Sequence, residues 1–190
     1  FYKKITSIYH IPIYYFSTNP YKDKDLFMIV RDPYSRCVSE FYCKWSGYER
    51  EKLMEYKINN NIIINEKNNV ENLRKYINID IDYDRIIFNK WIQNKIIYNY
   101  DLKKISFLPQ YLYLFDKNKN VIVNNILYFE NIKDDFNILN KKYDLDLEIN
   151  YIHNKSSTKK YDKNDLFGST INLINKYYKI DFEIFGYDML

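Results

Sequence analysis

Residues 26–39 of the chain read LFMIVRDPYSRCVS, and this stretch decides the fold. Its first five residues are a continuous apolar run of strand length, which is typical of a parallel strand buried on both faces. Asp32 is a good helix N-cap, and Pro33 suits the first helical position. Apolar and aromatic side chains then recur at the spacing of one helix face, at Val38, Phe41, Tyr42 and Trp45. The stretch therefore predicts a strand, a tight turn and a helix.

The turn places polar groups where an anion can bind. Ligands of open α/β sheets bind beyond the carboxyl ends of the strands, and Arg31 lies at such an end. The helix N-terminus offers free N–H groups, and the planar guanidinium of Arg31 matches phosphate oxygens. Ser39 follows two helical turns later and can donate its hydroxyl. This spacing favours either a phosphate site or an ordinary surface helix with an Arg–Asp ion pair, and it does not decide between them.

The composition narrows the class of protein. The chain has 190 residues, of which 46% are apolar or aromatic, and this supports one α/β domain over residues 1–190. A net charge of only +4, with lysines spread along the chain, argues against a nucleic-acid-binding domain. No run of about 18 apolar residues predicts a membrane span. Cys37 and Cys43 are too few for a disulfide framework or a zinc site, so we expect no metal.

Other segments carry weaker signals. Residues 11–16, 121–123 and 126–129 are predicted strands, and residues 70–77, 83–98, 131–143 and 165–178 are predicted helices. Residues 56–72 are low in complexity and rich in asparagine and isoleucine. They predict an expanded surface loop, that is, a low-complexity insertion at the surface.

The Arg31-Asp32-Pro33 sequence, followed by Arg36 and Ser39, resembles the 3′-phosphate-binding motif of sulfotransferases. The resemblance is to the carbohydrate or Golgi-type branch, which uses 3′-phosphoadenosine-5′-phosphosulfate (PAPS) as sulfuryl donor. Residues 108–111 (LPQY), 127–131 (LYFEN) and 178–187 (YKIDFEIFGY) are similar to later landmarks of that family. The resemblance implies a P-loop-kinase-like fold, in which helices flank a parallel sheet.

The resemblance also implies roles for individual residues. Arg31 and Ser39 would grip the 3′-phosphate of the nucleotide. His10, which lies about twenty residues before the motif, would be the catalytic base that takes the proton of the acceptor hydroxyl. Lys155 and Ser156 would contact the phosphates from a later loop. The acceptor would be a hydroxyl-bearing molecule, in this branch a carbohydrate.

Two further polar residues have alternative interpretations. Gln110 is expected to line the groove for the acceptor, or else to cap a helix or loop. Glu130 is expected to orient Arg36 or a substrate hydroxyl, or else to form a structural ion pair.

One part of the family's nucleotide site is missing. The family needs a first strand followed by a loop rich in Gly, Ser and Thr that holds the 5′-phosphosulfate. The three glycines of the chain, Gly47, Gly168 and Gly186, lie in no setting that forms this loop. Because the sequence starts at Phe1 without Met, we expect an N-terminally truncated fragment. The alternative is a non-catalytic sulfotransferase-like module that binds a nucleotide or a glycan. The family would place the complete protein in the Golgi lumen, anchored through its missing N-terminus.

Overall fold

A parallel pair of strands lies at the centre of the predicted ligand site. The computed structural model describes residues 12–98, 105–149 and 159–190. Strand β1 (Phe27–Val30) pairs in parallel with β2 (Asn125–Tyr128), so that Val30 lies opposite Tyr128. The amide of Leu26 donates to Asn124 Oδ1 at 2.9 Å, which sets the start of the pairing. The predicted strands at residues 26–30 and 126–129 are thereby confirmed.

Seven helices flank this sheet within the described ranges. They are α1 (Pro33–Phe41), α2 (Tyr48–Asn59), α3 (Val70–Tyr76), α4 (Arg85–Ile97), α5 (Ile132–Tyr143), α6 (Gly168–Tyr177) and α7 (Lys179–Phe185). None of these helices is long and apolar enough to cross a membrane. The structure therefore confirms an α/β fold with a small parallel sheet between helices, and the P-loop-kinase-like arrangement stays a prediction.

Helix α1 carries the main core on one face. Its buried residues Tyr34, Cys37, Val38 and Phe41 pack with side chains of α4, α6 and α7. Phe41 stacks on Tyr48 with ring centroids 5.2 Å apart and meets Phe88 and Trp91 edge to face. A second, smaller cluster of Val30, Leu114 and Phe185 lies under the sheet. The main core thus holds α1, and the smaller cluster holds the end of β1.

The turn between α1 and α2 depends on Gly47. A Cβ atom at this position would lie 2.5 Å from the carbonyl oxygen of Phe41 and 2.6 Å from that of Cys43. Both are backbone atoms that cannot move aside, so any larger residue would strain the turn.

The predicted loop over residues 56–72 is wrong at its start, and its last residues belong to the predicted helix over residues 70–77, which α3 confirms. Helix α2 continues to Asn59 and α3 begins at Val70, which leaves residues 60–69 as the loop. The side chain of Arg50 donates to the carbonyl of Asn68 at 2.8 Å, and this bond ties the loop to α2. Helical propensity and these contacts therefore outweigh the low complexity of the sequence. Whether the segment is an insertion stays a prediction.

Two predicted strands are also wrong. Residues Ile13–Tyr15 form a 3-10 turn, in which the amide of Tyr15 donates to the carbonyl of Pro12 at 3.0 Å. Val121 forms only an isolated antiparallel bridge to Phe115. Both segments are apolar, but a local turn or a short bridge satisfies their backbone groups instead of a sheet.

Strand β1 is less enclosed than its sequence predicts. Val30 is fully buried, whereas Phe27 and Ile29 are 54% and 50% exposed. In the described residues the sheet has two strands, so the edge of β1 opposite β2 has no strand beside it. Parallel sheets are ordinarily covered on both faces and paired on inner edges. This open edge therefore distinguishes β1 from the buried strand that its apolar sequence predicts.

Candidate functional site

Arg31 follows the last residue of β1, and within the described residues its guanidinium has no hydrogen-bond partner. Its Nε atom is buried and makes no hydrogen bond, and no ion pair of Arg31 occurs in the part of the chain that the structure describes. The guanidinium carbon lies 4.3 Å from the centre of the Phe129 ring. Burial lowers the pKa of Arg31, while Glu130 and Asp32 oppose this shift. An arginine side chain nevertheless stays charged in proteins, so this is a half-buried cation with an unused donor.

Lys159 is a second cation, and its charge interacts with that of Arg31. Burial and the charge of Arg31 both lower the pKa of the Lys159 ammonium. The repulsion between the two like charges would be relieved by an anion that binds near both. The sequence interpretation missed Lys159, although this residue belongs to the same polar, basic run as Lys155 and Ser156. The predicted residues Lys155 and Ser156 lie outside the described residues.

The first turn of α1 does not offer the free N–H groups that the sequence predicted. Asp32 accepts from the amide of Tyr34 at 3.3 Å and from the amide of Ser35 at 3.1 Å. It also accepts from the Ser35 hydroxyl at 2.7 Å. The prediction of free amides is wrong because the N-cap carboxylate of Asp32 already occupies them. An anion at this site would therefore depend on side-chain donors.

Ser39 supplies one such donor. The buried residues of α1 are Pro33, Tyr34, Cys37, Val38 and Phe41, and helical spacing puts Ser39 on the opposite side. Its hydroxyl makes no hydrogen bond within the described residues. Arg31 and Ser39 thus belong to one rigid strand–helix unit, in which each has an uncommitted donor.

Arg36 has a different task from Arg31. Its Nη1 donates to the carbonyl of Leu108 at 2.7 Å and its Nη2 to the carbonyl of Ser106 at 2.7 Å. We call residues 105–113, which include these carbonyls, the brace loop. The planar fork of arginine reaches both carbonyls at once, which a lysine cannot do. Arg36 therefore holds the brace loop and leaves ligand binding to other groups.

Two residues near the C-terminus, Asp181 and Tyr178, also hydrogen-bond to the brace loop. Asp181 is fully buried, and its two carboxylate oxygens accept from the amides of Gln110 and Tyr111, each at 2.8 Å. Burial raises the pKa of Asp181, and these two hydrogen bonds counteract the shift. The hydroxyl of Tyr178 donates to the carbonyl of Phe107 at 2.9 Å. Together with the two bonds of Arg36, five hydrogen bonds hold the brace loop, and without them its amides and carbonyls would be buried and unpaired.

The side chain of Gln110, in the brace loop, hydrogen-bonds to the backbone of Arg31 just after β1. The amide of Arg31 donates to Gln110 Oε1 at 2.9 Å, and Gln110 Nε2 donates to the carbonyl of Arg31 at 2.8 Å. Gln110 is buried, so the structure gives it a capping role at a strand end. Its predicted contact with an acceptor stays a prediction.

The predicted link between Glu130 and Arg36 is wrong. Glu130 accepts from the amide of Asp32 at 3.0 Å and from the hydroxyl of Tyr187 at 2.9 Å. Both contacts tie the end of β2 to the Asp32 turn. Glu130 therefore shapes the turn around Arg31, because its two oxygens are already used there.

Three other predictions concern the catalytic base, a metal site and the cysteines. The predicted base His10 lies outside them. No group of three His, Cys, Asp or Glu side chains within them can hold a metal ion. Cys37 is buried, and burial raises the pKa of its thiol to about 12, so it is a packing residue.

Comparisons with known proteins identify the family. A family model described as the sulfotransferase family matches residues 14–188. No curated protein and no solved structure matches the chain. The match covers most of the chain, including β1, α1, the brace loop and α7.

We expect Arg36→Lys to destabilise the protein by about 1.5–3 kcal/mol, because the variant loses at least one charge-assisted hydrogen bond to the brace loop. The free energy of unfolding in urea measures this loss. Arg85→Lys is the matched control, since Arg85 is half exposed and its Nε donates to a single carbonyl, that of Asp165, at 2.8 Å. Equal losses in the two variants would contradict the role given to Arg36.

Proposed function

The chain belongs to the sulfotransferase family, and we propose that it moves a sulfuryl group from PAPS to a hydroxyl group of an acceptor. The proposed acceptor is a carbohydrate, and the proposed compartment is the Golgi lumen, as in the branch that the motif resembles. The observation that carries the proposal is the Arg31 guanidinium, whose buried Nε has no hydrogen-bond partner. A buried, unpaired donor on a cation is costly, and a bound anion would relieve that cost.

The 3′-phosphate is the part of PAPS that suits this site. Arg31 would donate to phosphate oxygens through its planar fork, and Ser39 would add a hydroxyl donor. Lys159 would supply a second positive charge. A phosphate group carries nearly two negative charges at neutral pH, so it would neutralise both cations and remove their mutual repulsion.

The chemical step would use His10 as base. PAPS supplies the sulfuryl group, and the acceptor hydroxyl must lose its proton as the new S–O bond forms. A histidine can take this proton near neutral pH, since its ordinary pKa is about 6.5. Charge builds up on the leaving phosphate oxygen, as in phosphoryl transfer, and a cation must stabilise it.

The 5′-phosphosulfate would be held by a further strand and loop beside β1. This part of the proposal is supported by the open edge of β1 and by the exposure of Phe27 and Ile29. A parallel strand at this edge would pair with the backbone of β1, and a helix after it could cover the sheet face that Phe27 and Ile29 share. The carboxyl end of this strand would lie next to Arg31, which is the usual place for a phosphate-binding loop.

The second candidate function is a non-catalytic module that binds a nucleotide or a glycan. Each glycine of the chain already has a structural place that favours this alternative. Gly47 lies in a tight turn, Gly168 begins α6, and Gly186 ends α7 with a left-handed backbone. None of them can belong to a phosphosulfate loop. Such a module would bind 3′,5′-bisphosphoadenosine through Arg31 but would not turn over PAPS.

We expect Arg31→Ala to weaken binding of 3′,5′-bisphosphoadenosine about 10- to 100-fold, because one or more charge-assisted hydrogen bonds are lost. Ser39→Ala should weaken binding about 2- to 10-fold, since it removes one hydroxyl donor. Isothermal titration calorimetry measures both affinities. The control variant is Arg74→Ala, whose arginine pairs with Glu49 on the α2–α3 side of the molecule. Unchanged affinity in Arg31→Ala would refute the 3′-phosphate assignment.

The pH dependence of the same binding reports on Lys159. Its lowered pKa means that it loses its charge at a lower pH than an ordinary lysine does. Affinity for 3′,5′-bisphosphoadenosine should therefore fall as the pH rises through that pKa, and Lys159→Arg should shift the fall to higher pH. Calorimetry across an alkaline pH series measures the shift. Identical profiles for the two proteins would remove Lys159 from the site.

Turnover distinguishes the enzyme from the binding module. In a chain that also carries the phosphosulfate loop, His10→Ala should lower the rate of sulfuryl transfer about 100-fold or more, with a smaller effect on nucleotide affinity. Transfer of labelled sulfate from PAPS to a panel of glycans measures the rate. Full turnover in the variant would exclude His10 as the base, and the lack of turnover in the unsubstituted chain would favour the binding module.

A further inference from the structure

The side chain of Gln110 pairs with the backbone of Arg31 as a neighbouring strand would. It accepts from the Arg31 amide at 2.9 Å and donates to the Arg31 carbonyl at 2.8 Å. A side-chain amide is suited to this, since it carries a donor and an acceptor side by side. Gln110 is only 6% exposed, so water cannot easily take its place.

Arg31 needs this pairing because β1 and β2 pair only as far as Val30 and Tyr128. One residue later, the Arg31 amide and carbonyl both have the Gln110 side chain as their partner in the described residues. Without Gln110 both groups would be unpaired in a half-buried position, and the backbone there could rotate. The direction of the guanidinium would rotate with it.

Apart from this backbone pairing, few contacts in the described residues restrain the Arg31 side chain. Its Nε has no hydrogen-bond partner, and its described side-chain contact is the face of the Phe129 ring. Phe129 is itself 47% exposed, and a ring face allows a guanidinium to slide. The backbone of Arg31 is therefore the part that must be held.

Gln110 is held in turn by the interior of the protein. Its own amide donates to the buried carboxylate of Asp181 at 2.8 Å. Arg36 fixes the preceding carbonyl of Leu108, two residues earlier in the brace loop. The position of the Arg31 backbone thus depends on α7 and α1 through a single side chain.

We propose that Gln110 is a positioning residue that aims the Arg31 guanidinium at an anionic group and so sets affinity for the 3′-phosphate without touching it. The proposal rests on the proposed function of Arg31. It gives Gln110 a role in nucleotide binding, whereas the sequence predicted that this residue lines the acceptor groove or caps a helix or loop.

The first test is a double-mutant cycle with 3′,5′-bisphosphoadenosine, measured by calorimetry. Gln110→Ala should weaken binding about 5- to 30-fold, and it should cause no further loss in an Arg31→Ala background. Binding of 5′-AMP, which lacks the 3′-phosphate, should not change. Gln93→Ala is the matched control, since Gln93 donates to Thr170 at 2.8 Å on the α4–α6 side. Equal losses for the two nucleotides, or additive losses in the cycle, would mean a merely structural role and would overturn the proposal.

Gln110→Glu supplies a second variant that keeps the size of the side chain. At neutral pH its carboxylate cannot donate to the Arg31 carbonyl, so affinity should fall as in Gln110→Ala. A protonated carboxyl again offers a donor and an acceptor, so affinity relative to the unsubstituted protein should recover as the pH falls. A constant ratio of affinities over the pH range would contradict this pairing. If Gln110→Ala does not fold, Gln110→Glu provides the same cycle.

A third measurement separates this proposal from the proposed function. The NMR signal of the Arg31 Nε–H, recorded without ligand, reports the setting of the guanidinium directly. Gln110→Ala should shift this signal and speed its exchange with water, whether or not the protein binds the nucleotide. An unshifted signal would overturn the positioning role. Unchanged nucleotide affinity in Arg31→Ala, with a shifted signal in Gln110→Ala, would instead overturn only the 3′-phosphate assignment.

Discussion

The pairing between the Gln110 side chain and the Arg31 backbone is the constraint on which the site depends. A parallel strand whose edge is open leaves amide and carbonyl groups without partners, and such groups cannot stay unpaired where they are half buried. The brace loop solves this with one side chain. The loop in turn needs Arg36 for its carbonyls and Asp181 for its amides. The brace loop, α1 and α7 thus all contribute to the position of Arg31, the residue that follows β1.

The electrostatics of the site follow from this arrangement. Asp32 and Glu130 lie near Arg31 and raise its pKa, but both carboxylates are engaged with backbone amides and with tyrosine or serine hydroxyls. They therefore build the turn and do not neutralise the guanidinium through a direct ion pair. Lys159 adds a second positive charge that interacts with Arg31. The balance favours a ligand with negative charge, and the half-buried setting strengthens its attraction.

The strand, the turn and helix α1 could be predicted from sequence because their signals are local. The apolar run, the Asp32 N-cap and the helical spacing all lie within about a dozen residues. The partners of Arg36, Gln110 and Asp181 could not be predicted, since each bond joins residues about 70 or more positions apart. Residues 56–72 misled for a different reason, because their biased composition hid the last turn of α2. Local patterns thus predicted the strand–turn–helix unit that carries the candidate site, and long-range hydrogen bonds determine which backbone groups its side chains hold.

The two arginines of the motif, Arg31 and Arg36, differ in how their guanidinium groups are hydrogen-bonded. Arginine is rare in this lysine-rich chain, so a position that keeps it needs the planar fork. At position 36 the fork spans two carbonyls of the brace loop, and both bonds are internal. At position 31 an equivalent fork has a buried, unused Nε. A protein seldom leaves such a donor unpaired without a reason, and Arg36 shows that this fold can satisfy an arginine internally. Among the described residues the buried donor of Arg31 has no such partner, and this contrast separates the two arginines.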